Sequence, residues 1–141
     1  MNRSDKYNFL LIFQLVIVLA SIFGSIFFSE VMNFLPCKLC WYQRLCVYPM
    51  AFIILVGIYI KSKETVFFLL PFSISGLVTS SYHNLVYYKF ITVLVPCSES
   101  APCTAQQINW LGFITIPLLS LVTFILLVFL NLTTIFLLKK E

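Results

Sequence analysis

Cys37-Lys38-Leu39-Cys40 places two thiols three residues apart, directly after Pro36 and ahead of a long apolar run. Pro suits the first turn of a helix, where its missing N–H costs little. Two cysteines on one helical turn can bring their sulfurs within disulfide reach. The positive end of the helix dipole favours the thiolate, the species that attacks disulfides and donates electrons. At about 100° per residue, Cys37, Cys40, Trp41, Arg44 and Tyr48 share one face. Arg44 lies one turn beyond Cys40, inside apolar sequence, where an idle charge is rare. A guanidinium there can hold a thiolate or polarise a carbonyl oxygen on which negative charge develops. Trp41 and Tyr48 are candidates for the walls of a ring-shaped pocket, although Trp and Tyr also populate membrane interfaces.

A second pair, Cys97 and Cys103, lies in Pro96-Cys97-Ser98-Glu99-Ser100-Ala101-Pro102-Cys103. Five residues separate these thiols, and the segment is polar. It reads as a loop disulfide, either a staple or a target for an incoming thiolate. The fifth cysteine, Cys46, falls roughly opposite Cys37 on the helix wheel and reads as a small packing hydrophobe. His83 is the single histidine. Its imidazole titrates near neutrality, so it can deliver a proton to a reduced ring or serve as a hydrogen-bonded packing residue.

The elements that must position these groups are membrane helices. Of the 141 residues, 61% are hydrophobic and 10% charged, against about 45–50% apolar and about 25% charged in soluble domains. A domain this small cannot bury so much apolar surface. The net charge of +4 is spread over isolated flanks, which excludes a nucleic-acid patch. Four apolar stretches, at about 9–28, 41–60, 65–85 and 111–138, are each long enough to span a bilayer. The first is expected to be retained rather than cleaved as a signal peptide, because its apolar run is long and no small-x-small site follows. Ser29–Pro36 is expected to be a loop, and Pro71 and Gly76 are tolerable within a membrane helix. The expected fold is therefore an all-α, single-domain, four-helix transmembrane bundle.

Arg3, Lys6, Lys61, Lys63, Lys139 and Lys140 fall on one side of this bundle, and Lys38, Arg44 and Lys89 on the other. By the positive-inside rule both termini are cytoplasmic and both cysteine-bearing loops extracytoplasmic. That is the compartment in which disulfides persist.

Residues 35–49, Leu-Pro-Cys-Lys-Leu-Cys-Trp-Tyr-Gln-Arg-Leu-Cys-Val-Tyr-Pro, closely resemble the signature of the DsbB family of disulfide bond formation proteins. Asn109-Trp110-Leu111-Gly112-Phe113-Ile114-Thr115-Ile116-Pro117 is similar to the family's approach to its last span. The close spacing of Cys97 and Cys103 resembles the shorter BdbC-type members rather than those with a long second loop. The resemblance implies a thiol–quinone oxidoreductase of the bacterial plasma membrane. An extracytoplasmic thioredoxin-fold thiol oxidase, DsbA- or BdbD-like, would attack the Cys97–Cys103 disulfide, most readily at Cys97. Electrons would pass to Cys37–Cys40 and from Cys40 to a non-covalently bound menaquinone or ubiquinone, then to the respiratory chain. Arg44 would help to hold the quinone, and Trp41, Tyr48 and His83, read from the residues themselves, are the further candidates for the cofactor site. Two other readings compete: a structural metal site formed by the four outward cysteines, and a scaffold with two structural disulfides. Cys-x-x-Cys fits zinc spacing, but neither reading uses Arg44.

Overall fold

The computed structural model describes residues 3–33, 36–91 and 115–140; Cys97 and Cys103 lie outside them. Helix α1 spans Arg3–Ile26, α2 Lys38–Ile60, α3 Thr65–Tyr87 and α4 Ile116–Lys139. All four contain windows apolar and long enough to cross a membrane, with mean hydropathy between 1.4 and 2.6. Each helix packs on its neighbour in sequence, and α1 also meets α4, which closes the bundle.

Apolar residues occupy both the inside and the outside. Leu11, Val18, Met50, Ile54, Val66, Leu69 and Leu127 are fully buried, with Phe124 almost so, whereas Phe23, Phe52, Phe68, Phe129 and Phe136 lie exposed on the outer surface. Such an exterior suits lipid. Lipid offers no hydrophobic drive for helices to associate, so close packing and interhelical hydrogen bonds must hold them. Gly57 admits the Thr65 side chain and Gly76 the Phe124 ring; a Cβ at either position would collide with its neighbour. Between α3 and α4, the Asn131 amide donates to Ser73 Oγ at 3.1 Å and the Asn84 amide to the Pro117 carbonyl at 2.8 Å.

Lys61 ends α2 in the left-handed conformation, φ 56°. The Ser62 carbonyl next to it accepts from Thr65 Oγ1 at 2.9 Å and from the Tyr7 hydroxyl at 2.6 Å. The start of α1 is thereby tied to the α2–α3 turn, so the two lie at the same end of the bundle. Cys46 packs against the central core.

Element ends differ from expectation in ways that shape the site. Helical structure after α1 does not stop at 28. It widens into a π-helical turn, Phe27–Val31, closed by Met32 N–H donating to the Phe27 carbonyl. Such turns often occur at functional sites. The expected Ser29–Pro36 loop is therefore helical through Val31. α2 begins at Lys38, ahead of the apolar stretch that starts at about 41, with Cys37 extended before it and the Cys37 carbonyl accepting from Trp41 N–H. α3 continues past 85 to Tyr87, where Asn84 is anchored on α4.

Candidate active site

Cys37 is the residue immediately before α2, and Cys40 sits in its first turn. Both are thiols, with sulfurs 3.1 Å apart. Cys37 is 7% exposed and packs with Leu39 and Val86. His83 Nε2 approaches its sulfur at 3.7 Å from α3. On the far side of the imidazole, Gln43 Nε2 lies 3.2 Å from Nδ1. When that amide nitrogen donates to Nδ1, the proton of the neutral ring resides on Nε2 and points at sulfur.

Cys37 thus faces two donors. The hydrogen bond from the Cys40 thiol is the largest influence on it; burial opposes ionisation, and the hydrogen bond from His83 favours it. The net effect brings the Cys37 thiol from its ordinary value down to about 4. Thiolate absorbance of the reduced protein near 240 nm is accordingly expected at pH 6, and to be lost as pH falls through about 4. Cys40→Ala or His83→Leu removes a donor to the thiolate and moves that loss to higher pH. An unchanged acid limb in both variants would contradict this arrangement.

Cys40 looks the other way. It lines a cavity of about 420 Å³ between α1, α2 and α4, whose wall includes Gln43, Arg44, Val47 and Tyr48 of α2, Ser25 and Ser29 near the end of α1, and Ile116 and Phe124 of α4. Arg44 spans the cavity edge toward α1. Its Nε donates to Ser25 Oγ at 2.7 Å, and Nη2 to the Ser25 carbonyl at 3.0 Å and to Ser29 Oγ. The π-helical turn carries Ser29 into this position.

The structure therefore brings Cys37, Cys40, Arg44 and Tyr48 together but divides the remaining candidates. Trp41 is 58% exposed on the outer surface and is absent from the cavity wall, although its ring centroid is 5.6 Å from the guanidinium carbon of Arg44. Adjacent helical residues diverge by about 100°, and the cavity lies on the Cys40–Gln43 side of the arc. His83 is buried against Cys37 rather than on the cavity wall. Sequence reasoning passed over Gln43, Ser25 and Ser29. The available clues were an uncharged amide one residue before Arg44 and serines at a four-residue interval in a charge-free span. Of the four cysteines required by the metal alternative, the described residues contain two, and the third ligating group beside them is His83, with all three ligand atoms within 4.8 Å of one another.

The family model described as "Disulfide bond formation protein DsbB" matches residues 7–134. "Disulfide bond formation protein C" of Bacillus subtilis is 40% identical over 114 residues, 80% of this chain and 83% of that protein. "Probable disulfide formation protein C" of Halalkalibacterium halodurans is 37% identical over 125 residues, covering 88% and 91%. The "SPbeta prophage-derived disulfide bond formation protein B" of Bacillus subtilis is 37% identical over 142 residues, covering 99% and 93%. No solved structure matches. Four membrane-length helices, a paired thiol at the start of the second, and a family match across nearly the whole chain lead to one conclusion: this chain belongs to the DsbB family and is a multi-pass plasma-membrane disulfide oxidoreductase.

Proposed function

We propose that the chain reoxidises an extracytoplasmic thioredoxin-fold thiol oxidase and transfers the electron pair, by way of Cys97–Cys103 and then Cys37–Cys40, to a membrane quinone. One observation carries this reading. Cys40, half of a closely spaced dithiol, opens onto an apolar cavity whose edge holds a guanidinium. The wall suits a quinone: apolar residues for a flat ring, and at one end the Arg44 guanidinium for a carbonyl oxygen. A cavity of about 420 Å³ is also of the size that small-molecule sites occupy. Bound there, a quinone supplies a two-electron, two-proton acceptor.

The chain's own residues divide the work. Cys37, held as thiolate by Cys40 and His83, is the sulfur suited to thiol–disulfide exchange. Cys40 presents its sulfur to the cavity. Arg44 favours negative charge beside it, on the thiolate or on the facing oxygen. Tyr48 forms part of the wall. Placing the dithiol end outside follows from the charge bias of the sequence. The shared location of the α1 start and the α2–α3 turn, joined through Tyr7 and Ser62, is consistent with it.

The test is quinone reduction by the purified protein, supplied with a reduced thioredoxin-fold partner. Cys97→Ser is expected to reduce turnover with the protein partner to background, while reduction driven by a small dithiol that reaches Cys37–Cys40 directly persists. Full turnover with the protein partner in Cys97→Ser would make the loop pair a staple. No quinone reduction by the unmodified protein, together with stoichiometric bound zinc, would favour the metal reading.

A further inference from the structure

Arg44 is held by neutral acceptors alone. Its partners are the Ser25 hydroxyl, the Ser25 carbonyl and the Ser29 hydroxyl, and no carboxylate pairs with it among the described residues. Its charge is anchored without being cancelled, and Nη1 takes part in none of these bonds.

The serine and threonine hydroxyl protons on the cavity wall can be followed one by one. A helical serine or threonine ordinarily donates back to the carbonyl three or four residues earlier. Ser21 donates to the Ile17 carbonyl at 2.8 Å, Ser29 to the Ser25 carbonyl at 3.2 Å, Ser120 to the Pro117 carbonyl at 2.8 Å and Thr123 to the Leu119 carbonyl at 2.9 Å. Ser25 is the exception. Its oxygen accepts the Arg44 Nε–H, and its proton has no acceptor among the described residues. This hydroxyl lies on the cavity wall beside Cys40 and Arg44.

We propose that Ser25 is a quinone-binding residue: its hydroxyl, oriented by Arg44, donates a hydrogen bond to the quinone carbonyl oxygen that Arg44 also faces. The proposal rests on the quinone reading of the cavity. Two donors then converge on one oxygen from different helices. A hydrogen bond to an oxygen gaining negative charge is stronger than one to a neutral oxygen, so the pair favours the charged state of the ligand over its resting state. Ser29 is assigned a separate role. Its proton goes to backbone, so it positions Arg44 and does not touch the ligand.

Menadione, a soluble naphthoquinone, is the probe, added to the full chain in detergent. Its affinity is read from quenching of tryptophan fluorescence, and its carbonyl stretch by infrared difference spectroscopy. In the unmodified protein one carbonyl band is expected at lower wavenumber than in free menadione. Ser25→Ala should return part of that shift and weaken binding about fivefold to tenfold, the range of a single hydrogen bond. Ser25→Thr, which keeps the donor, should retain the shifted band, as should Ser29→Ala. A Ser25→Ala protein that binds menadione with unchanged affinity and an unchanged band overturns the assignment. So does a Ser29→Ala protein that loses the band to the same extent as Ser25→Ala. Absence of binding by the unmodified protein, for menadione and for long-chain quinones alike, refutes the quinone reading itself and is told apart by that wild-type result.

Discussion

Quinone reduction is expected to fall by at least about three orders of magnitude in Cys40→Ser, because removal of a group that itself reacts abolishes the step it performs. Serine matches the thiol in shape but cannot form the Cys37–Cys40 disulfide, so the electron pair has no exit toward the cavity. Cys37 cannot take over: it is buried on the α3 side against His83 and is absent from the cavity wall. Cys46→Ala is the control on the same helix. Cys46 packs against the central core and lies outside the cavity wall, and its loss should leave turnover within about twofold, as for a small packing hydrophobe. Stopped-flow bleaching of the quinone with a small dithiol as reductant isolates this step from partner exchange. Retention of a tenth or more of wild-type turnover in Cys40→Ser would show that another group faces the acceptor.

The largest structural effect is expected at Gly76. A Cβ there runs into the ring of Phe124, which is 1% exposed and forms part of the central core. Leu127 and Leu69, fully buried in the same core, block the ring on the core side and leave it to shift only toward the cavity it lines. Gly76→Ala should therefore separate α3 from α4 and destabilise the bundle by about 2–3 kcal/mol, at the upper end of overpacking costs. The cavity would deform as well, because Phe124 is part of its wall. Thermal unfolding in detergent, followed by the exposure of buried thiols, reports the loss. Gly24→Ala sets the opposite case: its Cβ meets nothing within 4 Å, and helix propensity alone should add roughly 0.5–1 kcal/mol of stability. In the double variant Gly76→Ala, Phe124→Leu, a smaller side chain opposes the added methyl. Its cost should be less than the sum of the two single changes. An additive double variant would mean that the Gly76–Phe124 contact is not what joins these helices.

Several features of the site follow from chain-local properties and can be read without a structure. The length and polarity of each apolar run specify a membrane helix, because backbone groups in lipid must be satisfied within the segment. The three-residue spacing of Cys37 and Cys40 places both sulfurs on one turn, and the distance of 3.1 Å reflects it. Arg44 is four residues past Cys40 and necessarily one turn further along the helix. The family signature around these residues is equally local.

Other features depend on which helix faces which, and the wheel of a single helix does not contain that information. Trp41 shares an arc with Cys37 and Arg44 in projection, yet neighbouring helices leave it on the outer surface. His83 is 46 residues from Cys37 and Gln43 is 40 from His83, and only the packing of α2 on α3 turns them into a hydrogen-bonded group around the first thiol. The partners of Arg44 are 15 and 19 residues away, Ser25 in the last turns of α1 and Ser29 on a π-helical turn in a segment that the sequence reads as a loop. Hydrophobic run length and thiol spacing therefore determined that the chain spans a membrane and carries a dithiol at one end of α2. Interhelical contact, drawn close at Gly57 and Gly76, decided that Cys37 faces a histidine while Cys40 faces a cavity bordered by an anchored cation.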